Sequence, residues 1–242
     1  KGKGPSLDAP TPGAIDVPTQ GIQSTFHVKT PRIIELPDLK DLRKIDVTYS
    51  LIEPYAFVHV YWNYKSHELV YEIIEPTLSQ QEQIILEKLE KGIEELINIS
   101  FIAIKSSDVV IQYLEKNMRV LLNEFRIGVA EETFQKLMYY IYRDFVGLNE
   151  IEPIMRDYYI EDIECNGVNS PLYVVHRKYR NLKTNIVFTD MRQLVGMVEK
   201  LAQKCGKYIS YATPLLDGAL PDGSVDYHER FVYRENGIVK IT

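Results

Sequence analysis

Residues 171–204 have the sequence PLYVVHRKYRNLKTNIVFTDMRQLVGMVEKLAQK, and this stretch decides the fold class. β-Branched and aromatic residues dominate residues 172–176 and 182–188, which predicts two strands. Thr189 or Asp190 then caps a helix. The apolar residues of this helix recur at helical spacing and form one face: Leu194, Val195, Val198, Leu201 and Ala202. Strands followed by a helix that covers them predict an antiparallel sheet in an α+β fold.

The residues on either side extend this unit to a small α+β domain over residues 147–224. A short helical turn at residues 151–156 leads to a further strand at residues 159–164. Asn166-Gly167 is a two-residue turn signal between this strand and the next one. The domain therefore contains three predicted strands and one long helix.

Residues 38–146 predict a different domain, a β-hairpin attached to a three-helix bundle. Strand patterns occupy three stretches, residues 45–49, 55–62 and 69–74. Ser79 and Glu82 form a capping box that starts the first helix. The second and third helices are predicted over residues 108–125 and 131–145, and Gly128 and Gly147 end them. Amphipathic helices of similar length with short connections predict a bundle.

The chain begins with a stretch rich in proline and glycine, residues 1–37. Six of the twelve prolines of the chain lie in it. Such a segment buries little apolar surface and cannot maintain backbone hydrogen bonds for long. We expect a flexible tail, with two interpretations open: a disordered leader, or an arm that docks on a partner or a neighbouring subunit.

The last part of the chain combines a loop with a hairpin. Residues 214–224, PLLDGALPDGS, place two Asp-Gly turns around a Leu-Pro step, which predicts an ordered loop. Packing explains this composition poorly, so we expect a functional loop. Residues 225–242 predict one more hairpin around Glu235-Asn236-Gly237.

Composition excludes several function classes. The chain has 242 residues, of which 45% are hydrophobic, and its net charge is 28 − 34 = −6. This acidic balance argues against binding of nucleic acid, which needs a basic face. No stretch approaches 18 apolar residues, so we expect no transmembrane helix. Two cysteines cannot build a disulfide framework, which favours a reducing compartment.

Common catalytic motifs are also missing from the sequence. No G-x-x-x-x-G-K-[ST] phosphate loop occurs, because Gly206-Lys207 is followed by Tyr208 and Leu201 occupies the first glycine position. None of the five histidines has another histidine or cysteine at metal-ligand spacing, and no G-x-S-x-G motif occurs. We therefore expect no catalytic or metal-binding residue in this chain.

One basic cluster stands out in the acidic chain. Residues 176–180, His-Arg-Lys-Tyr-Arg, lie at the end of a predicted strand, and Lys183 and Arg192 follow nearby. A solvated turn explains this cluster, and so does contact with a polyanion. Arginine matches phosphate geometry with two parallel hydrogen bonds, which favours a nucleotide phosphate as the polyanion. On charge clustering, we nominate Arg177, Arg180 and Arg192 as the residues that face the phosphate.

Four pieces of the sequence, in their order and spacing, resemble a known family. They are GLNEIEPIMRDYYIEDIECNG at residues 147–167, PLYVVHRKYRNLKTNIVF at residues 171–188, QLVGMVEKLAQKCGKYIS at residues 193–210 and PLLDGALPDGS at residues 214–224. Together they resemble the N-terminal domain of the type II/IV secretion ATPase superfamily, in particular its archaeal branch. The preceding hairpin, helices and leader are similar to the archaellum motor ATPase, and archaeal pilus-assembly ATPases are close relatives.

The resemblance implies a hexameric ATPase that depends on Mg²⁺ and lies at the inner, cytoplasmic face of the cell membrane. Its implied partners are a C-terminal ATPase domain, neighbouring subunits, a polytopic membrane platform protein and accessory motor proteins, with no nucleic acid. In the family, the ATP-binding motifs follow the PDGS loop. They are absent here, so we expect a fragment that is inactive alone and holds no cofactor, while ATP and Mg²⁺ bind the rest of the protein.

The loop before the missing motifs is implied to lie between the domains. Its interdomain residues are Pro214, Asp217, Gly218, Pro221, Asp222 and Gly223. The family continues PDGS with Arg-Val-Asn, whereas this chain has Val225-Asp226-Tyr227, which leaves the origin of residues 225–242 open. A regulatory, force-transmitting region of the motor is the first functional hypothesis. The alternative is a non-catalytic protein-binding module of a pilus-assembly or secretion ATPase.

Overall fold

A computed structural model describes residues 24–38, 40–96 and 107–208, together with the backbone of three short strands beyond residue 208. The predictions made for residues 1–23 lie outside this described part. So do those for four residues of the predicted loop, Pro214, Pro221, Asp222 and Gly223.

Among the described residues, six strands form the larger part of a mixed sheet, in the order β1-β2-β3-β6-β5-β4. Their bounds are Asp46–Ile52 (β1), Ala56–Asn63 (β2), Glu68–Ile74 (β3), Ile160–Asn166 (β4), Pro171–His176 (β5) and Arg180–Val187 (β6). Three short strands continue the sheet beyond β4 in the order β9-β8-β7: Leu216–Ala219 (β7), Arg230–Tyr233 (β8) and Ile238–Ile241 (β9). The α+β class predicted from the sequence is confirmed.

Within the described ranges, five α-helices accompany the sheet. They span Gln80–Leu96 (α1), Ser107–Glu124 (α2), Glu131–Phe145 (α3), Glu152–Met155 (α4) and Met191–Lys204 (α5). Ser79 and Glu82 form the expected capping box, in which each backbone N–H donates to the other side chain. Asp190 caps α5 by accepting from the N–H of Arg192. In the described part of the chain, no helix has the length and apolar character needed to cross a membrane.

The buried side chains form a single cluster between one face of the sheet and the helices. Strand β2 shows the alternation, because Ala56, Val58 and Val60 are fully buried while Phe57 and His59 are partly exposed. Buried residues of α1, α2 and α3 complete the same core. The helices therefore lie against one face, and the opposite face of β1–β6 carries the partly exposed side chains.

The two predicted domains share one sheet through a parallel pair of strands, β3 and β6. Only two residue pairs make this ladder, Val70 with Lys183 and Tyr71 with Thr184. The side chain of Asn185 continues it: Oδ1 accepts from the N–H of Ile73 at 2.9 Å, and Nδ2 donates to its carbonyl at 2.9 Å. The antiparallel sheet expected within residues 147–224 is present in β4, β5 and β6. The sequence did not predict the parallel joint, which pairs segments over a hundred residues apart.

The tail predicted for residues 1–37 is wrong from residue 24 onward. Phe26 and Leu36 are 1% and 2% exposed and belong to the core. The ring of Phe26 lies 5.2 Å from that of Tyr55 and 5.7 Å from that of Tyr142. We call residues 24–38 the covering segment, because this irregular stretch lies across the edge of the sheet and supplies two core side chains.

The last described strands correct one prediction and confirm another. Asp217 and Gly218 lie in β7, which pairs with β8, so this part of the predicted loop is a strand. The hairpin expected in residues 225–242 is confirmed as β8 and β9, and β9 also pairs with β4. The turn after β4 is longer than the two residues expected, since β4 ends at Asn166 and β5 begins at Pro171.

Candidate functional site: the junction under the covering segment

Two of the nominated arginines lie together at the turn between β5 and β6. Arg177 is exposed, with its guanidinium 4.6 Å from the centre of the Tyr158 ring and its Nε 3.8 Å from Oε1 of Glu161. Arg180 begins β6 with a φ of 63° and is also exposed. Long cations in these positions can reach a polyanion from solvent. The structure therefore brings together two members of the predicted set.

The third arginine lies elsewhere. Arg192 is in the first turn of α5, where its Nη2 is 2.8 Å from Oδ2 of Asp190. This helix follows the far end of β6, and an eight-residue strand is about 23 Å long. Arg192 thus lies at the opposite end of β6 from the turn that carries Arg177 and Arg180.

His176 is not part of the basic surface that the sequence predicted. It is 1% exposed, and its ring is stacked between those of Tyr159 and Tyr179, with centroids 5.3 and 4.8 Å away. Nδ1 accepts from the backbone N–H groups of Lys178 and Tyr179, both at 3.1 Å. Burial, with a smaller contribution from Lys178, lowers the pKa of His176 to about 4. The imidazole is therefore neutral at pH 7.

A buried carboxylate lies next to this histidine. Asp157 accepts from the hydroxyls of Tyr49 and Tyr71, each at 2.7 Å, and from the N–H of Tyr159 at 2.8 Å. Its burial raises its pKa above the ordinary value in spite of these hydrogen bonds. The same desolvation, with the charge of Asp157, raises the pKa of both tyrosines. The phenols therefore remain protonated donors at neutral pH.

The hydrogen bonds fix the position of the proton on His176. Because Nδ1 accepts two N–H groups, the proton of the neutral ring is on Nε2. This nitrogen lies 3.3 Å from the hydroxyl of Tyr49, which in turn donates to Asp157. A chain of hydrogen bonds thus connects β5, β1 and Asp157, which lies two residues after α4, and β3 is joined through Tyr71. We call these four residues, Tyr49, Tyr71, Asp157 and His176, the junction.

The junction is a structural device, with its polar atoms directed at each other. All four side chains are at most 8% exposed. In the described part of the chain, every buried side-chain nitrogen and oxygen has a hydrogen-bond partner. A satisfied buried network specifies one arrangement of the elements that it joins. It offers neither an accessible nucleophile nor an accessible general base.

The covering segment is held by the same side chains that enclose His176. The hydroxyl of Tyr159 donates to the carbonyl of Ile34, and Nζ of Lys178 donates to that of Leu36. The hydroxyl of Tyr179 donates to the carbonyl of Pro37 at 3.0 Å. The ammonium group of Lys178 is therefore bound to a backbone carbonyl. Like His176, Lys178 does not contribute to the predicted basic surface.

The other end of the covering segment is bound to the helices. Glu115 accepts from the hydroxyl and N–H of Thr25 at 2.7 and 3.1 Å, from the hydroxyl of Ser24, and from Arg119 at 3.1 Å. Burial alone would raise the pKa of Glu115, but these hydrogen bonds outweigh it and lower the pKa. The segment therefore links α2 to the β4–β5 side of the sheet.

Comparison with known proteins finds relatives in one archaeon, Methanocaldococcus jannaschii. The uncharacterized protein MJ1288 is 36% identical over 154 residues, which cover 64% of this chain and 61% of that protein. The uncharacterized protein MJ0900 is 31% identical over 207 residues, or 77% of this chain and 37% of that protein. The uncharacterized protein MJ0781 is 31% identical over 144 residues, or 57% and 20%.

This chain thus spans less than two thirds of the length of each of these relatives. No model of a known protein family matches it. MJ0900 and MJ0781 accordingly place similar sequence inside longer proteins, while the names of all three relatives state no activity.

Sequence reasoning missed the junction, although one signal for His176 was present. Leu172, Val174 and His176 alternate along β5, and all three are buried. A period of two therefore assigns His176 to the inner face, whereas the turn that follows carries Arg177 outward. No sequence pattern of this kind indicates the role of Asp157, because its partners Tyr71 and Tyr49 are 86 and 108 residues away.

Proposed function

We propose that this chain is the regulatory and force-transmitting N-terminal region of a hexameric secretion-type motor ATPase, which powers the assembly and rotation of an archaellum. The resemblance of residues 147–224 to that superfamily supports the proposal. The lengths of MJ0900 and MJ0781, of which the matched residues cover 37% and 20%, are compatible with an ATPase domain elsewhere in the same protein. ATP and Mg²⁺ would bind that domain at the inner face of the cell membrane.

The observation that carries the proposal is the continuous sheet. A region that transmits a displacement must move as one body, since a loose joint would absorb the motion. Strands β3 and β6 join the two halves directly, and Asn185 extends their ladder by two hydrogen bonds. The junction and the covering segment tie the same halves together on the core side. Packed interiors of this kind deform little under load.

The proposal assigns Arg177 and Arg180 a place facing the nucleotide phosphates. Cations that are already positioned stabilise the charge that develops on a transferring phosphoryl group. Both arginines lie on one exposed turn, whose position is fixed by the buried His176 beneath it. The neighbouring subunit or the ATPase domain would supply the phosphate loop and the Mg²⁺ ligands.

A test of the joint uses the intact motor protein with Asn185→Ala. We expect filament assembly to fall while ATP turnover persists, because the substitution weakens the β3–β6 joint and leaves nucleotide contacts alone. Asn181→Ala on the exposed start of the same strand is the matched control. Assembly at the wild-type rate in the Asn185 variant would contradict force transmission through this sheet.

A second experiment tests the arginines. The double variant Arg177→Ala/Arg180→Ala should lower ATP turnover by about 100-fold, the effect of removing charge stabilisation at a reacting oxygen. Arg192→Ala should turn over ATP normally, since Arg192 lies at the far end of β6. Equal turnover in all three proteins would exclude a role at the nucleotide.

The alternative function, a protein-binding module of a pilus-assembly or secretion ATPase, predicts a different dependence on the N-terminus. The structure shows where a truncation should stop: residue 24 and its successors are bound to Glu115 and contribute Phe26 to the core. Removing residues 1–23 therefore leaves the described fold complete. Loss of partner binding with intact ATP turnover would favour the module, and unchanged behaviour would exclude this segment as its binding element.

A further inference from the structure

Strand β1 forms one edge of the sheet and pairs with β2 only. On its outer side, the described part of the chain supplies a single bridge, one residue past the end of the strand. Lys29 and Glu53 exchange two backbone hydrogen bonds there, each of 3.1 Å. Between this bridge and the beginning of β1, the edge has no ladder partner among the described residues.

The register of β1 and β2 shows which backbone groups face outward. The N–H of Trp62 donates to the carbonyl of Ile45 at 3.3 Å, so Ile45 is directed at β2. The direction of the backbone N–H and carbonyl groups alternates along an antiparallel pair. Those of Val47 and Tyr49 are therefore directed at β2, like those of Ile45. Thr48 and Ser50 consequently direct their N–H and carbonyl groups away from β2, toward the free edge.

A cleft of about 520 Å³ lies along this edge. The covering segment forms one wall with residues 29–34, and β1 forms the other with Thr48, Tyr49 and Ser50, closed by Glu53. The segment meets the sheet at Lys29 and again at Ile34, whose carbonyl accepts from Tyr159, and it leaves a gap between them. This volume is in the range of sites that hold ligands.

The charged groups of the cleft favour an acidic occupant. Lys29 and Arg32 are exposed, and within the described residues neither side chain has a hydrogen bond or an ion pair. Glu53 is the single acidic residue among the lining residues, which leaves an excess of one positive charge. Hydroxyls of Thr30, Thr48 and Ser50 add donors and acceptors without charge.

We propose that this cleft binds an extended acidic peptide, which adds to the free edge of β1 as a further strand. Outward N–H and carbonyl groups at alternate residues are the pattern that an added strand pairs with. Natural sheets protect such edges with proline, lysine or a covering element. Strand β1 contains neither proline nor lysine, and the covering segment leaves Thr48 and Ser50 open. This inference does not depend on the proposed motor function.

Fluorescence polarisation with a labelled hexapeptide, Val-Asp-Val-Glu-Val-Thr, tests the proposal on the full chain. We expect saturable binding, and binding weaker by about tenfold or more when lysine replaces both acidic residues. N-methylation of alternate peptide nitrogens supplies the decisive comparison. Methylation in one register should abolish binding and methylation in the other should preserve it, because an added strand donates through every second N–H. Equal binding of both methylated peptides would overturn strand addition.

Variants of the protein test the charge argument separately. Lys29→Ala/Arg32→Ala should weaken binding of the acidic peptide about tenfold and leave a neutral peptide unaffected. Lys65→Ala/Lys88→Ala removes two other exposed cations and should change nothing. Absence of peptide binding, with concentration-dependent dimers that Thr48→Pro abolishes, would overturn the proposal and assign the edge to a second copy of the chain.

Discussion

The buried His176 should make the stability of this protein depend on pH, and the substitution His176→Asn isolates that effect. The imidazole is neutral in the folded chain because Nδ1 accepts two N–H groups, from Lys178 and Tyr179, and because the ring is enclosed by tyrosines. An asparagine Oδ1 can accept from the same backbone groups but does not titrate. The variant therefore keeps the turn and removes the protonation equilibrium.

The magnitude follows from the two pKa values. The pKa of His176 falls from its ordinary 6.5 to about 4 in the folded protein. Between these values the unfolded chain binds the proton more readily, so stability decreases as the pH falls from 6.5 toward 4. The complete difference corresponds to about 3 kcal/mol. About 2 kcal/mol of this should be lost between pH 7 and pH 5.

Urea unfolding, followed by circular dichroism at several pH values, measures the effect. The wild-type midpoint should fall by about 1 M more than that of the variant between pH 7 and pH 5. The raised pKa of Asp157 changes stability in the opposite direction, but this carboxylate is present in both proteins and largely cancels in the difference. His27→Asn, which replaces an exposed histidine of the covering segment, is the control substitution.

A difference between wild type and His176→Asn that is constant from pH 7 to pH 5 would refute the argument. In that case the histidine would bind a proton equally well in the folded and the unfolded chain, as an imidazole accessible to solvent does. This would conflict with the two hydrogen bonds that Nδ1 accepts and with an exposure of 1%. A lower stability of the variant at every pH would report lost ring packing and would not affect the conclusion.

Three further predictions, one of them with a control substitution, test other parts of the structure. Phe26→Ala should cost about 3–5 kcal/mol in a urea titration and expose the covering segment to proteases, since a core ring is lost. Gly147→Ala should lower the melting temperature, because the added methyl would lie 2.7 Å from the carbonyl oxygen of Arg143. The control Gly128→Ala should be tolerated in the same thermal melts, since a methyl added there meets no atom within 4 Å. Asn185→Ala should cost about 0.5–1.5 kcal/mol and speed amide exchange in β3, because the N–H and carbonyl of Ile73 lose their partner at a position that water can reach.

Local signals in the sequence predicted the helices well. The bounds expected for α3, residues 131–145, agree with the observed Glu131–Phe145, and the capping box at Ser79 is present. Caps, helical spacing and stop signals act within a few residues, so the sequence carries them directly. Strands β1, β2 and β3 could be predicted from the sequence for the same reason.

The covering segment could not be predicted because its stabilising contacts are distant in the chain. A stretch rich in proline with few apolar residues predicts disorder when its composition is considered alone. Phe26 is nevertheless buried, since the rings of Tyr55 and Tyr142 provide its environment. The beginning of the covering segment likewise depends on a distant residue, since Ser24 is bound to Glu115, 91 residues away. Composition does not report such partners.

The joint between β3 and β6 was missed for a related reason. Both strands were predicted, but the sequence between them contains helices α1 to α4 and strands β4 and β5, so no turn signal specifies their pairing. The ladder has two residue pairs and is completed by an amide side chain, Asn185. A polar residue at the exposed end of a strand gives no indication that it will pair with another backbone.

The hydrogen bonds of the turn between β5 and β6 limit how this turn could contact a phosphate. Anion sites on turns commonly use backbone N–H groups. At this turn those groups are occupied, because the N–H of Arg177 donates to Tyr159 at 2.8 Å and those of Lys178 and Tyr179 donate to His176. Any phosphate contact must therefore come from the side chains of Arg177 and Arg180. Such contacts between exposed charges are screened by salt, so phosphate binding at this turn should weaken steeply as ionic strength rises.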